Sequence, residues 1–155
     1  MCDQCWYADP PGGKGEPHQD RTWAAISIES LDALGAEHGP FDGLLGYSHG
    51  CPMATVYIAN SNTSFEKAFL FNGYLPTTHS GLNDTINEVA PLDVDALIFG
   101  GDNDVFIFGV EELEGVYQEP TIIISSTADH HLPSSDDETY GDVLAFFRQG
   151  TNGTL

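Results

Sequence analysis

Apolar residues in this chain fall into short runs and into spaced patterns, and the two alternate along its length. The short runs predict buried strands at 41–47, 68–71, 96–99 and 121–124. Apolar residues at helical spacing predict helices at 23–34, 52–59, 111–117 and 140–147. Strands that are apolar on both faces and alternate with helices indicate a mostly parallel sheet flanked by helices. The pattern therefore predicts an α/β fold.

The segments between these elements set the domain organisation. Pro and Gly are frequent near the start, which predicts a loop-rich N-terminal segment at 1–20. Residues 75–92 have mixed polarity and no clear period, so no element is predicted there. The chain contains neither an internal repeat nor a linker. We therefore expect residues 1–155 to form a single domain.

Helix ends can be predicted for two helices. Gly39 and the proline that follows it are expected to stop the first helix. Ser135 and Glu138 have the spacing of a capping box for the last helix, and Gly150 is expected to end it.

The charge balance narrows the choice of partners. Four Lys and Arg face 24 Asp and Glu, which gives a formal net charge of −20. Such a chain repels nucleic acid and anionic membrane surfaces, so neither is expected as a partner. No apolar run approaches the roughly 20 residues that span a bilayer. The N-terminus lacks the pattern of a secretory signal, so a cytoplasmic location is expected.

The cysteines do not suggest a metal site. Cys2 and Cys5 have CxxC spacing without a second pair, and Cys51 stands alone, whereas a zinc site needs about four ligands. We therefore expect no metal site at the cysteines. The acidic composition leaves cation binding open, although 102–112 fails the calcium-loop pattern.

The most specific local signal is the pentapeptide G-Y-S-H-G at 46–50, between a predicted strand and a predicted helix. In this context G-x-S-x-G is typical of a nucleophile elbow, which exposes a serine hydroxyl above the sheet. Gly46 and Gly50 are expected to remove side chains that would collide in the turn. Ser48 is then the candidate nucleophile. The backbone N–H of His49, helped by the helix dipole, is expected to stabilise an oxyanion.

A serine nucleophile needs a histidine base and a carboxylate that orients it. In hydrolases with this elbow the chain order is Ser, then Asp or Glu, then His. Asp102 and Asp104 follow the third predicted strand, and His130 and His131 follow the fourth. Because the carboxyl ends of parallel strands share one edge, these groups are expected to meet Ser48 there.

Four stretches resemble the FSH family of serine hydrolases, within the α/β-hydrolase superfamily. The stretch GPFDGLLGYSHG at 39–50 is similar to the family's G-P-F-D-G-(V/I/L)-L-G-F-S-Q-G. FLFNGY at 69–74 resembles the family strand that ends in S-G-(F/Y). FGGDND at 99–104 resembles a strand and loop ending in G-x-x-D, and ADHHLP at 128–133 resembles G-G-H-x-(V/I/L)-P.

This resemblance implies an α/β-hydrolase fold and a catalytic triad that uses no cofactor. It places the nucleophile at Ser48, the acid at Asp104 and the base at His130, not at His131. Two positions depart from the family pattern. His49 stands where Gln is usual, and Asp129 replaces a Gly, which adds a charge beside the base.

A further departure is that nothing near the start resembles the family's first strand, which ends in L-H-G. The chain is therefore expected to be truncated at its N-terminus relative to the family, without the loop that gives the second oxyanion N–H. Loss of one such donor costs on the order of 100- to 1,000-fold in rate. An unpaired sheet edge would also favour self-association.

Three functions remain open at the level of the sequence. The first is a serine hydrolase that cleaves small-molecule carboxylic esters or thioesters through an acyl-serine intermediate. The second is a non-catalytic binding protein that keeps the fold without a full oxyanion hole. The third is an acidic cation-binding protein.

Overall fold

The structure is a computed structural model that describes residues 5–13 and 15–149. In that part of the chain four strands alternate with helices. The strands are β1 (Gly43–Tyr47), β2 (Lys67–Phe71), β3 (Asp95–Gly101) and β4 (Thr121–Ser125). The helices are α1 (Ala25–His38), α2 (Gly50–Asn60), α3 (Ser80–Val89), α4 (Phe108–Glu114) and α5 (Tyr140–Arg148). The predictions for Cys2 and Gly150 lie outside the described residues.

The four strands form one parallel sheet in the order β1-β2-β3-β4. Each step to the next strand passes through a helix, as a parallel connection requires. Right-handed crossovers in an unbroken strand order place α2, α3 and α4 on the same face. The predicted α/β fold, with a parallel sheet and flanking helices, is thus confirmed.

The sheet separates two apolar cores, because alternate residues of its inner strands point to opposite faces. On one face Leu70 and Ile98 pack in a large cluster with residues of α2, α3 and α4, among them Leu82 and Leu113. On the other face a smaller cluster gathers against α5 and includes Phe69, Phe71, Leu97, Phe99, Val143 and Phe146. Burial on both faces explains why β2 and β3 appear as continuous apolar runs.

β1 and β4 lie at the two borders of the sheet, and their side chains are more exposed than those of the inner strands. Leu45 of β1 is 52% exposed and Ile124 of β4 is 49% exposed. Within the described residues β1 pairs only with β2. The strand that carries the candidate elbow is therefore supported from one side.

No element was predicted at 75–92, but α3 lies within this stretch. Only Gly81, Leu82 and Ile86 of this helix are buried. Because so few positions of α3 face the core, the sequence shows no clear helical repeat of apolar residues. Similarly, α4 begins three residues before the predicted start at Glu111, because its first turn packs closely on the segment after β2. A Cβ at Gly109 would lie 1.9 Å from the carbonyl oxygen of Gly73.

The predicted end of α1 was correct, whereas the capping box predicted for the start of α5 was wrong. Helix α1 ends at His38, and the N–H of Gly39 donates to the carbonyl of Gly35. The N-cap of α5 is Thr139, without a side-chain capping bond. Glu138 instead accepts hydrogen bonds from the backbone N–H and hydroxyl of Ser126. Across 5–13 and 15–149, no helix is long and apolar enough to cross a membrane.

Candidate active site

The turn between β1 and α2 consists of Ser48 and His49. Ser48 has a positive φ of 51°, a backbone conformation that non-glycine residues adopt rarely and often at functional sites. Its N–H donates to the carbonyl of Phe71 at the end of β2 (2.9 Å), and its carbonyl accepts from the N–H of Cys51 (3.0 Å). The neighbouring strand and the first turn of α2 together hold this backbone.

The two glycines of the pentapeptide have different roles. A Cβ on Gly46 would lie 2.7 Å from the carbonyl oxygen of Gly50 and 2.8 Å from Cα of Cys51. A Cβ on Gly50 would meet only the indole nitrogen of Trp6, at 3.8 Å, an ordinary contact. The expectation that both glycines prevent collisions therefore holds for Gly46 and is wrong for Gly50.

The structure brings Ser48, His130 and Asp104 into one line of hydrogen bonds. Nε2 of His130 lies 2.8 Å from Oγ of Ser48, and Nδ1 of His130 lies 2.8 Å from Oδ2 of Asp104. The side chain of Asp104 is 1% exposed and that of His130 is 29% exposed. The carboxylate is thus shielded, while the imidazole reaches the surface.

Asp104 is anchored at both of its oxygens. Oδ1 accepts the backbone N–H of Phe106 (2.9 Å), while Oδ2 faces the imidazole of His130. The backbone N–H of Asp104 donates to the carbonyl of Gly101 at the end of β3 (3.0 Å). These contacts fix the carboxylate so that it favours the His130 tautomer with hydrogen on Nδ1, leaving Nε2 to accept.

The alternative candidates, Asp102 and His131, lie outside this line. Both are exposed, and Nδ1 of His131 lies 3.0 Å from the carbonyl of Leu132. Asp129 accepts the backbone N–H of His130 (2.6 Å). Its carboxylate therefore engages the chain beside the imidazole, while the ring pairs with Asp104.

Aromatic side chains surround the imidazole, and the sequence did not single them out. The rings of Tyr47 and Phe106 lie 5.3 and 5.2 Å from that of His130, and Tyr74 stacks on Phe106 at 5.0 Å. The Tyr47 hydroxyl also donates to the carbonyl of His130 (2.8 Å). Their positions offered a signal, since Tyr47 precedes the serine and Phe106 lies two residues after the aspartate.

The N-terminal segment packs beside the start of α2. The ring of Tyr7 is 4.6 Å from that of His49 and 4.8 Å from that of His79. The Ala8 carbonyl accepts from the indole N–H of Trp23 and lies 3.0 Å from Nε2 of His79. Burial is the main cause that raises the pKa of Tyr7 and lowers that of His79. Part of the stretch predicted as loop is therefore built into the region around His49.

The described residues give little support for Cys51 as a nucleophile or for a metal site. Cys51 is fully buried, and burial raises the pKa of its thiol to about 12, so the thiol stays protonated. Among the described residues, no group of three or more His, Cys, Asp and Glu side chains has the arrangement of a metal site. Ser48, in contrast, is only partly buried and lies beside a histidine.

A parallel sheet with a serine turn at its carboxyl edge, followed by an aspartate and a histidine on later loops, defines the α/β-hydrolase fold. The family model for serine hydrolases described as "Serine hydrolase (FSH1)" matches residues 3–140. The chain therefore belongs to this serine hydrolase family, as its motifs predicted.

A curated relative and several solved structures are similar to the chain. Esterase FPY3 of Fusarium mangiferae is 28% identical over 142 residues, which cover 82% of this chain and 64% of that esterase. The chain thus spans less than two thirds of that relative's length.

Solved structures that are similar to the chain include two esterases and a lipase. Esterase PE8 matches with a TM-score of 0.64 and 20% identity, covering 92% of this chain and 68% of that one. The esterase domain of a Rhodothermus marinus protein matches with a TM-score of 0.59 and 17% identity, covering 78% of this chain and 67% of that one. The monoacylglycerol lipase of Paleococcus ferrophilus matches with a TM-score of 0.60 and 14% identity, covering 92% of this chain and 77% of that one. At these identities the likeness shows the fold.

Proposed function

We propose that this chain hydrolyses small-molecule carboxylic esters through an acyl-enzyme intermediate on Ser48. The observation that carries the proposal is the line from Ser48 through His130 to Asp104, with both hydrogen-bonded separations at 2.8 Å. Membership of a serine hydrolase family supports the same chemistry.

In the proposed first half-reaction, Nε2 of His130 takes the proton from Oγ of Ser48 as this oxygen attacks the ester carbonyl carbon. The carbonyl oxygen becomes an oxyanion, which the backbone N–H of His49 and the dipole of α2 stabilise. The tetrahedral intermediate then collapses, and the C–O bond to the alcohol breaks. His130 returns its proton to the departing oxygen, and Asp104 stabilises the imidazolium in between.

In the second half-reaction water replaces the alcohol. His130 takes a proton from the water as its oxygen attacks the acyl carbon, and the bond to Ser48 then breaks. The proton passes back to Oγ of Ser48, and a carboxylic acid leaves. A thioester would react by the same route with a thiol as leaving group, so we extend the proposal to that class.

The surroundings of the site favour an uncharged substrate. The rings of Tyr47 and Phe106 lie beside His130, and Tyr74 stacks on Phe106. Aromatic faces such as these supply apolar contact area. The net charge of −20 repels anionic acyl groups. We therefore propose neutral esters with an apolar portion, in preference to phosphorylated or dicarboxylic substrates.

The direct test is labelling with a fluorophosphonate, which reacts with an activated serine. The parent protein should label, whereas Ser48→Ala and His130→Ala should not, because one lacks the nucleophile and the other the base. His131→Ala is the matched control and should label like the parent, since its ring lies outside the line. A folded parent that resists labelling would instead favour the non-catalytic binding protein.

A further inference from the structure

Asn72 is a buried polar residue in an unusual conformation at the carboxyl edge of the sheet. It is the first residue after β2, is 2% exposed, and has a positive φ of 49°. Asn tolerates this backbone region better than most residues do. Its side chain touches neither Ser48 nor the imidazole in any hydrogen bond that the structure describes.

The side-chain amide of Asn72 connects two other segments. Its Nδ2 donates to the carbonyl of His131 (2.8 Å), and its Oδ1 accepts the N–H of Gly101 at the end of β3 (3.0 Å). The backbone N–H of Asn72 donates to the carbonyl of Phe99 (2.8 Å). One amide thus fastens the end of β2 to the end of β3 and to the loop after β4.

The two segments that Asn72 connects carry Asp104 and His130. His131 directly follows His130, so the Asn72 bond fixes the main chain one residue from the imidazole. Gly101 accepts the backbone N–H of Asp104 (3.0 Å), so the other Asn72 bond fixes the turn that holds the carboxylate. The hydroxyl of Tyr47, the last residue of β1, also donates to the carbonyl of His130 (2.8 Å).

We propose that Asn72 is a positioning residue that sets His130 and Asp104 in register with Ser48. The inference rests on the proposed function and adds a fourth side chain to the machinery, one that acts through backbone contacts. With Asn72 included, every strand of the sheet contributes a residue at its carboxyl end. Because displacement of a reacting group by about 1 Å costs on the order of 100-fold in rate, this amide has a large effect on turnover.

The experiment compares two variants of Asn72 with a control. Asn72→Gly keeps the backbone freedom at positive φ and removes both side-chain bonds. Asn72→Asp keeps the shape and the acceptor for Gly101, but it places an oxygen against the His131 carbonyl. Thr55→Val is the control, because buried Thr55 loses bonds to Cys51 and Tyr117 away from this loop.

With a p-nitrophenyl ester as substrate, both Asn72 variants should lose about 100-fold in kcat with little change in KM. The control should keep the parental kcat. Circular dichroism identifies which variants are folded, and either folded Asn72 variant suffices for the test. A folded variant with parental kcat would overturn the proposal, since Asn72 would then support stability alone.

A second readout is independent of turnover. Nitrogen NMR shifts of the His130 imidazole report which nitrogen carries hydrogen. The parent should show the Nδ1–H tautomer that Asp104 favours, and the Asn72 variants should show a mixture of tautomers. Should the parent lack esterase activity, the proposed function fails, while this readout still decides the role of Asn72. An unchanged tautomer in a folded variant would overturn the inference.

Discussion

At the scale of single residues, two carboxylates of one loop have very different surroundings. In the sequence G-G-D-N-D both Asp102 and Asp104 lie near the end of a strand. In the structure Asp102 faces solvent, whereas Asp104 is 3% exposed and has partners at both oxygens. Asp104 is thus held where it can orient the imidazole of His130, whereas Asp102 is solvated.

Asp104→Asn should remove most of the activity and leave the fold intact. The amide oxygen can still accept the N–H of Phe106, which turns the NH₂ group toward Nδ1 of His130. The imidazole then carries its hydrogen on Nε2 and cannot accept the proton of Ser48. We expect kcat to fall on the order of 10,000-fold, measured with a p-nitrophenyl ester.

Asp102→Asn is the matched control for this prediction. It removes the same charge from the same loop without touching the imidazole, so kcat should stay near the parental value. Equal losses in the two variants would mean that net charge, not the orientation of His130, controls the rate.

At the scale of elements, the turn from β1 to α2 depends on a close approach of backbone to backbone. Gly46 lies against the first residues of α2, and Ser48 bonds to the end of β2. This packing leaves no space for a side chain on the strand residue that faces the helix. The conformation of Ser48 is therefore set by the way strand and helix meet.

Gly46→Ala should destabilise the protein by about 1–3 kcal/mol or more, because its methyl group overlaps backbone atoms that cannot move independently. Gly50→Ala should be stabilising by roughly 0.5–1 kcal/mol, since alanine suits a helix better than glycine and meets no close neighbour. The free energies of unfolding in urea measure both effects. Equal destabilisation by the two substitutions would show that the approach at Gly46 has no special role.

The sequence predicted the four strands well, because each contains a short continuous run of apolar residues that is visible in the local sequence. It missed α3, whose buried stripe is too narrow to dominate a polar segment. Ser48, Asp104 and His130 were accessible through motif and chain order. The side-chain hydrogen bonds of Asn72 and Tyr47 were not, because their partners lie 59 and 83 residues away in the chain. Pairings of this kind depend on the folded sheet and leave no local pattern.

At the scale of the whole molecule, negative charge is largely uncompensated. Among the described residues, Arg21 pairs with Glu88 at the surface, and Lys67 pairs with Asp95. Pairs of this kind do little against a net charge of −20. The folded state therefore holds like charges closer together than the unfolded chain does, and this repulsion opposes folding.

Salt should accordingly stabilise the protein. Raising NaCl from about 0.01 M to about 1 M shortens the screening length from roughly 30 Å to roughly 3 Å. The Tm should rise by about 2–4 °C for each kcal/mol of repulsion removed, as measured by thermal unfolding. Calcium chloride at matched ionic strength serves as the control. A calcium shift well beyond that of NaCl would contradict simple screening and support cation binding.

The long separation along the chain between Ser48 and His130 has a consequence during synthesis. The two residues are 82 positions apart, and a ribosome adds about 5–20 residues each second. In a nascent chain, Ser48 is therefore present for roughly 4–16 s before His130 has been synthesised. During that interval the serine has no base beside it. On the proposed mechanism, the nascent polypeptide cannot hydrolyse cellular esters until His130 has been synthesised.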